Sequence, residues 1–166
     1  MGDFHLAQLN IGRAKGPVGE AWMAEFMELL DPVNALADRS PGFVWRLQDD
    51  AGNATSFRPY EDERMIVNMS VWESVEALWS FVYDSEHLDV MRRRREWFER
   101  FESLYMVLWW VPAGHIPSID EAKERLALLE ERGPTPDAFT FKVRFEPPDD
   151  AASPEPAFDE REGCPA

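Results

Sequence analysis

Four successive arginines, Arg92-Arg93-Arg94-Arg95, are conspicuous in a chain with 17 basic and 32 acidic residues. On a helix, residues three, four and seven apart share a face. His87, Met91, Arg94, Arg95 and Phe98 would then line one side, while Arg92 and Arg93 point elsewhere. An imidazole beside a guanidinium can move a proton while the cation holds an anionic oxygen, which is what general acid–base chemistry requires. The same arginines can instead pair with Asp89, Glu96, Glu99 and Glu102 on a solvated face, and the spacing alone allows both.

A second group of polar residues sits in strand-like runs. Gln8 and Asn10 share one parity of the first run, Asn68 and Ser70 one parity of a later run. Uncharged polar groups on an apolar sheet need partners once buried. They either line a pocket or hydrogen-bond across a seam. Seven tryptophans (Trp22, Trp45, Trp72, Trp79, Trp97, Trp109 and Trp110) are many for 166 residues. Most belong to the core, and Trp72 and Trp110 are expected as walls of a pocket for a large apolar ligand. His115 follows a strand end in Pro112-Ala113-Gly114 and is either a ligand contact or a solvated loop residue. His5, among apolar neighbours, reads as structural.

Several chemistries lack their signatures. There is no Gly-x-Gly-x-x-Gly and no phosphate-cradling Gly-x-x-x-x-Gly-Lys. No His-Glu-x-x-His or similar cluster marks a metal centre, and three histidines are few. The lone Cys164 gives neither a disulfide framework nor a thiolate cage. Haem would need His87 or His115 as axial ligand, and nothing around them argues for it. The expectation is no cofactor and no metal. A net charge of −15 disfavours nucleic acid. No apolar run approaches the roughly 20 residues of a membrane helix, and no signal region opens the chain, so a cytoplasmic protein without membrane contact is expected.

The elements that must position these residues follow from periodicity and punctuation. Phe4 to Ile11 reads as a strand. Trp22, Phe26, Leu29, Leu30, Val33, Leu36 and Ala37 recur at helical spacing, with Asp31-Pro32 expected to kink or divide the helix and Ser40-Pro41-Gly42 to stop it. Phe43 to Gln48 and Arg64 to Trp72 are strands around a polar loop from Asp49 to Tyr60. Ser74 caps a helix bearing Val75, Leu78, Trp79 and Val82. Asp84 or Ser85 opens another that carries the arginines to about Phe101, and Leu104 to Val111 is a strand. The order β-α-β-β-α-β is the split βαβ, ferredoxin-like plait, an α+β fold with an antiparallel sheet. A capping box, Ser118 with Glu121, opens a further helix closed by Gly133-Pro134, and Phe139 to Phe145 alternates as a half-exposed edge strand.

Residues 1–146 form one domain on this reading. From Pro147 to Ala166 six acids accompany one base and five prolines, so 147–166 is expected as a mobile acidic tail. In the strands Arg64–Trp72 and Leu104–Val111, neither parity of Ile66–Trp72 or of Tyr105–Trp110 carries a charge, so both sheet faces are expected to be covered. A second subunit on the open face, giving a homodimer, is the favoured explanation; cover by the extra C-terminal segment is the other.

Four strings, Phe4-His5-Leu6-Ala7-Gln8-Leu9-Asn10-Ile11, Ser40-Pro41-Gly42-Phe43-Val44-Trp45-Arg46-Leu47, Val67-Asn68-Met69-Ser70-Val71-Trp72-Glu73-Ser74 and Leu108-Trp109-Trp110-Val111-Pro112-Ala113-Gly114-His115, resemble the domain-of-unknown-function family numbered 3291. The resemblance spans about Phe4 to Phe145. It implies a dimeric α/β barrel, in a superfamily with cofactor-free antibiotic-biosynthesis monooxygenases, haem-binding members and polyketide cyclases. With the residues above it leads to a cofactor-independent enzyme (cyclase, isomerase or dehydratase) acting on a small, apolar, carbonyl-bearing, polyketide-like metabolite. His87 would move the proton and Arg94 or Arg95 would hold the oxyanion. Asn68 and Asn10 would orient the carbonyl, and Trp72, Trp110, Gln8, Ser70, Met91 and His115 would contact the substrate. A monooxygenase of the same fold, cofactor-free or using haem, and a non-catalytic ligand-binding dimer are the alternatives.

Overall fold

Alternating apolar side chains make Phe4–Arg13 the first strand, β1. It runs past Gly12, because Gly12 and Arg13 stay in register with Ile66 and Met65. The computed structural model describes residues 3–16, 21, 24–48, 64–83, 92–93, 96–99, 106–148 and 156–158. Within them β2 (Phe43–Arg46), β3 (Met65–Trp72) and β4 (Met106–Pro112) join β1 in the order β2-β3-β1-β4, each pair antiparallel. Helix α1 (Ala24–Asp38) connects β1 to β2, and α2 (Val75–Tyr83) follows β3. This is the ferredoxin-like plait expected from the element order.

Helix α1 is continuous through Pro32. The carbonyl that loses its donor there is that of Glu28, and Glu28 and Pro32 both face solvent, where water can take the missing bond. Ser40 ends the helix by donating its hydroxyl to Leu36 O at 2.7 Å. Gly42 then turns the chain into β2 with φ of 84°, and a Cβ placed on it would stand 2.5 Å from Ala77 Cβ on α2. Only glycine combines that backbone with that closeness. As expected, Ser74 caps α2, accepting from Ala77 N at 3.0 Å. Helix α3 (Ile119–Arg132) opens on Ser118, which accepts from Glu121 N, and ends at Gly133.

Two expectations need correction. The arginine-bearing helix does not reach Phe101. Phe98 forms a bridge with Ala14, Lys15 N donates to Trp97 O, and Glu99 N donates to Arg13 O, so residues 97–99 run along the end of β1. Burial explains it: Trp97 and Phe98 pack with Phe26 and Ile66 over that end of the sheet. Phe139 to Phe145 is not one half-exposed strand either. Phe139 and Phe141 are buried, Phe139 pairs singly with Leu108, and only Val143–Phe145 (β5) is extended. Within the segment expected as a tail, Pro156–Phe158 (β6) pairs with β5, Phe158 opposite Val143.

The core lies on both sides of the sheet. Ala7, Leu9, Val67, Met69, Val71, Val107 and Trp109 meet Ala122, Leu126 and Leu129 of α3. On the opposite face, Leu6, Trp72 and Leu108 meet Val75, Leu78, Phe81 and Val82 of α2, with Ala37 of α1 and Phe139 and Phe141 of the C-terminal segment. Except at Asn68, both faces of β3 are thus buried inside one chain, and their composition no longer calls for a second subunit.

Candidate polar site between the sheet and helices α1 and α2

Antiparallel register places side chains in rows across the α1/α2 face. One row reads Phe43, Trp72, Leu6, Trp110; the next Arg46, Ser70, Gln8, Leu108; the third Asn68, Asn10, Met106. The first row is apolar, with Trp72 stacked on Phe81 at 5.2 Å and set edge-on to Phe43 at 5.4 Å. Beyond the third row, Ile66 belongs to the cluster of Phe26, Trp97 and Phe98. Two aromatic ends therefore flank a polar floor two rows deep.

The floor is one hydrogen-bonded network. Gln8, 3% exposed, donates from Nε2 to Asn68 Oδ1 at 2.7 Å and to Ser70 Oγ at 2.8 Å, and its Oε1 accepts from Asn10 Nδ2 at 3.2 Å. Trp72 Nε1 also donates to Ser70 Oγ at 2.8 Å. An amide nitrogen has two hydrogens and a hydroxyl oxygen two lone pairs. Both hydrogens of Gln8 and both lone pairs of Ser70 are thus used. Among the described residues the Ser70 proton, the Asn68 amide N–H groups and one Asn10 N–H meet no acceptor, and Asn10 Oδ1 meets no donor. Asn68 is also exposed, alone among the residues of β3, at a point where β1 flanks the strand and the register with β2 has ended at Ser70. The arrangement presents neutral donors, with the Asn10 side-chain oxygen as an acceptor beside them, at an open point of a buried face.

Of the residues singled out in the sequence, Gln8, Asn10, Asn68, Ser70 and Trp72 come together here. Trp110 shares the face, but its Nε1 donates to Phe145 O at 2.8 Å, tying down β5. His87, Met91, Arg94 and Arg95 lie outside the described residues. Their neighbour Arg93 follows the surface alternative: it bonds Glu96 and Glu25, each at 2.8 Å, and lies over Trp97. Those bonds raise its own pKa and lower that of Glu96.

His115 stands apart from the floor. It lies in the β4–α3 loop, exposed, with Nε2 2.8 Å from Glu121 Oε1, while Glu121 Oε2 accepts from the buried Trp109 Nε1 at 2.9 Å on the α3 side. Burial pushes the Glu121 pKa up, but the bonds from His115 and Trp109, with the nearby Arg125, outweigh it and leave the carboxyl below its usual range. Sequence reasoning missed two members of these arrangements. Glu121 was visible only as a capping residue. Arg46, on the Ser70 row, was hidden in a short edge strand, though a lone charge after Phe43-Val44-Trp45 was the available signal. Among the described residues no three His, Cys, Asp or Glu side chains gather as metal ligands, and no helix is long and apolar enough to cross a membrane.

A family model described as Domain of unknown function (DUF3291) matches residues 5–155. No curated protein gives a significant match. Among solved structures the chain is similar to SnoaB, a cofactor-independent oxygenase from Streptomyces nogalater, at 18% identity over 69% of this chain and 96% of that one, TM-score 0.45. It is also similar to a protein of unknown function from Nitrosomonas europaea, at 14% identity over 71% of this chain and 99% of that one, TM-score 0.44.

Proposed function

The chain belongs to the DUF3291 family, and from that premise we propose that it is a cofactor-independent enzyme binding an apolar carbonyl compound over Gln8, Asn10, Asn68 and Ser70. The observation that supports this reading is that, among the described residues, the Asn68 N–H groups and the Ser70 proton meet no acceptor in a floor where Gln8 Nε2 and Ser70 Oγ are otherwise fully engaged. Such donors suit a carbonyl oxygen in the ground state and suit it better as negative charge develops there, which is how an enolate is stabilised. The aromatic ends, Trp72 with Phe43 and Phe81 on one side and Trp97 with Phe26 and Phe98 on the other, match a flat apolar body. Removal of a proton next to the carbonyl is the shared first step of cyclisation, isomerisation and dehydration. His87 is the group to which the sequence assigns that proton. A homodimer remains part of this proposal on the strength of the resemblance alone.

The same donors favour one second reading, a cofactor-free oxygenase, because an enolate held by neutral donors is also the species that reacts with dioxygen. The test uses 2-tetralone, a flat ketone with acidic α-protons, in deuterated buffer. Exchange of its benzylic α-protons is followed by NMR, and dioxygen uptake is recorded in parallel. The wild-type protein should accelerate exchange, and Asn68→Ala should lower the acceleration by about 10²-fold, the usual cost of an oxyanion donor. Exchange at the buffer rate, or exchange indifferent to Asn68→Ala, would overturn the proposal. Dioxygen uptake in step with ketone loss would select the second reading.

A further inference from the structure

The three carboxamides of the floor form a row joined head to tail. Asn10 Nδ2 donates to Gln8 Oε1 at 3.2 Å, and Gln8 Nε2 donates to Asn68 Oδ1 at 2.7 Å. A carboxamide has an acceptor end and a donor end, so such a row finishes in an oxygen on one side and N–H groups on the other. Here the oxygen is Asn10 Oδ1 on β1 and the N–H groups are those of Asn68 on β3. Neither meets a partner among the described residues. Reversing the whole row would exchange its two ends and abolish neither. Asn10 and Asn68 are direct register partners, which puts their Cβ atoms about 4.5–5.5 Å apart. Gln8, the middle member, is buried, Asn10 is half-buried and Asn68 is exposed, so the row surfaces where Asn10 and Asn68 stand opposite each other.

A compound lying over this point takes water from both ends of the row. A ketone oxygen answers the donors of Asn68 but offers nothing to Asn10 Oδ1, and a polar atom dried without a partner weakens binding. Resting on the reading above, we propose that Asn10 is the specificity-determining residue of the site and that the bound compound is an α-hydroxy ketone, its carbonyl accepting from Asn68 and its neighbouring hydroxyl donating to Asn10 Oδ1. Oxygens on adjacent carbons suit two amide ends carried by opposed residues of neighbouring strands. A lactam N–H would serve Asn10 as well, but an amide carbonyl gives up its α-protons less readily than a ketone. The proton removal proposed above therefore favours the hydroxyl.

The probes are 1-indanone, 2-hydroxy-1-indanone, its methyl ether and the lactam oxindole, with dissociation constants from NMR titration of the full chain. On the wild type the hydroxy ketone should bind about tenfold more tightly than 1-indanone, the usual net effect of one hydrogen bond, and methylation should remove that gain. Asn10→Leu should erase the preference. Asn10→Asp, which keeps an acceptor there and charges it, should enlarge it. A purely structural Asn10 makes a different forecast, since both substitutions break its bond to Gln8 Oε1 and would act alike. If Asn10→Leu does not fold, Asn10→Asp and the methyl ether still decide. No preference in the wild type, a preference that persists in Asn10→Leu, or one that falls in Asn10→Asp, with ketone binding still weakened by Asn68→Ala, overturns the role of Asn10 alone. Oxindole binding more tightly than the hydroxy ketone overturns the hydroxyl as the group recognised. Absence of binding of either ketone by the wild type, or binding indifferent to Asn68→Ala, overturns the site and the role of Asn10 together.

Discussion

Ser70→Ala removes one oxygen and strands two donors. Gln8 Nε2 and Trp72 Nε1 both give hydrogens to Ser70 Oγ at 2.8 Å, and Gln8 and Trp72 are 3% and 1% exposed. The space vacated by a hydroxyl is too small for a replacement water, so neither donor finds a substitute. A buried donor left unsatisfied costs about 1–3 kcal/mol. Two of them, with some relaxation, put the loss at about 2–4 kcal/mol. Asn68→Ala removes an acceptor from the same Gln8 nitrogen, but at an exposed position where water replaces it. It should cost less than about 1 kcal/mol. The assay is urea unfolding followed by tryptophan fluorescence, comparing midpoints at unchanged slope. Equal losses for the two variants, or a Ser70→Ala loss below that of Asn68→Ala, would refute the account of a satisfied floor with one open end.

If His87 moves the proton as proposed, His87→Ala should lower turnover by about 10²–10⁴-fold with an unchanged far-UV spectrum; loss of fold would mark His87 as structural. Gly42→Ala should destabilise by about 2 kcal/mol or more in the same urea assay, since the positive φ and the 2.5 Å approach to Ala77 Cβ both oppose a side chain; a neutral result would refute the close packing of that turn on α2. The folded pKa of Glu121 lies below its ordinary value of 4.5, so its stabilising share is present above that pH and is lost as the pH falls through the folded pKa. The melting temperature of Glu121→Gln should therefore sit below the wild type's at pH 7 and converge on it as the pH falls through that lowered pKa; a gap independent of pH would contradict this.

The plait was legible because its signals are local: alternation in β1, β3 and β4, Ser74 and Ser118 as caps, and Gly42 and Gly133 as stops. Long-range packing decided the rest. Pro32 did not divide α1, because a proline on a wet helix face leaves its orphan carbonyl to water. Phe98, at helical spacing from Met91 and Arg94, was drawn instead to Ala14 by the cluster around Phe26. The cover on the Val67, Met69 and Val71 face came from Ala122, Leu126 and Leu129 of α3, far along the chain and by a route that alternation cannot reveal. At the site, parity alone united Gln8 with Asn10 and Asn68 with Ser70. Pairing these two sets needed the register between β1 and β3, and so did the placement of Arg46 beside Ser70.

The most direct test of the central claim is an NMR titration of the protein, labelled with ¹⁵N at its side-chain amides, with 2-tetralone. The account predicts that the Asn68 amide signals shift and show contacts to the ligand, with smaller changes at Gln8 and Asn10 and none at the indole N–H of Trp109, which is held by Glu121 on the other side of the sheet. Changes confined to Trp109 and the His115 loop, with Asn68 unmoved at ligand saturation, would contradict it.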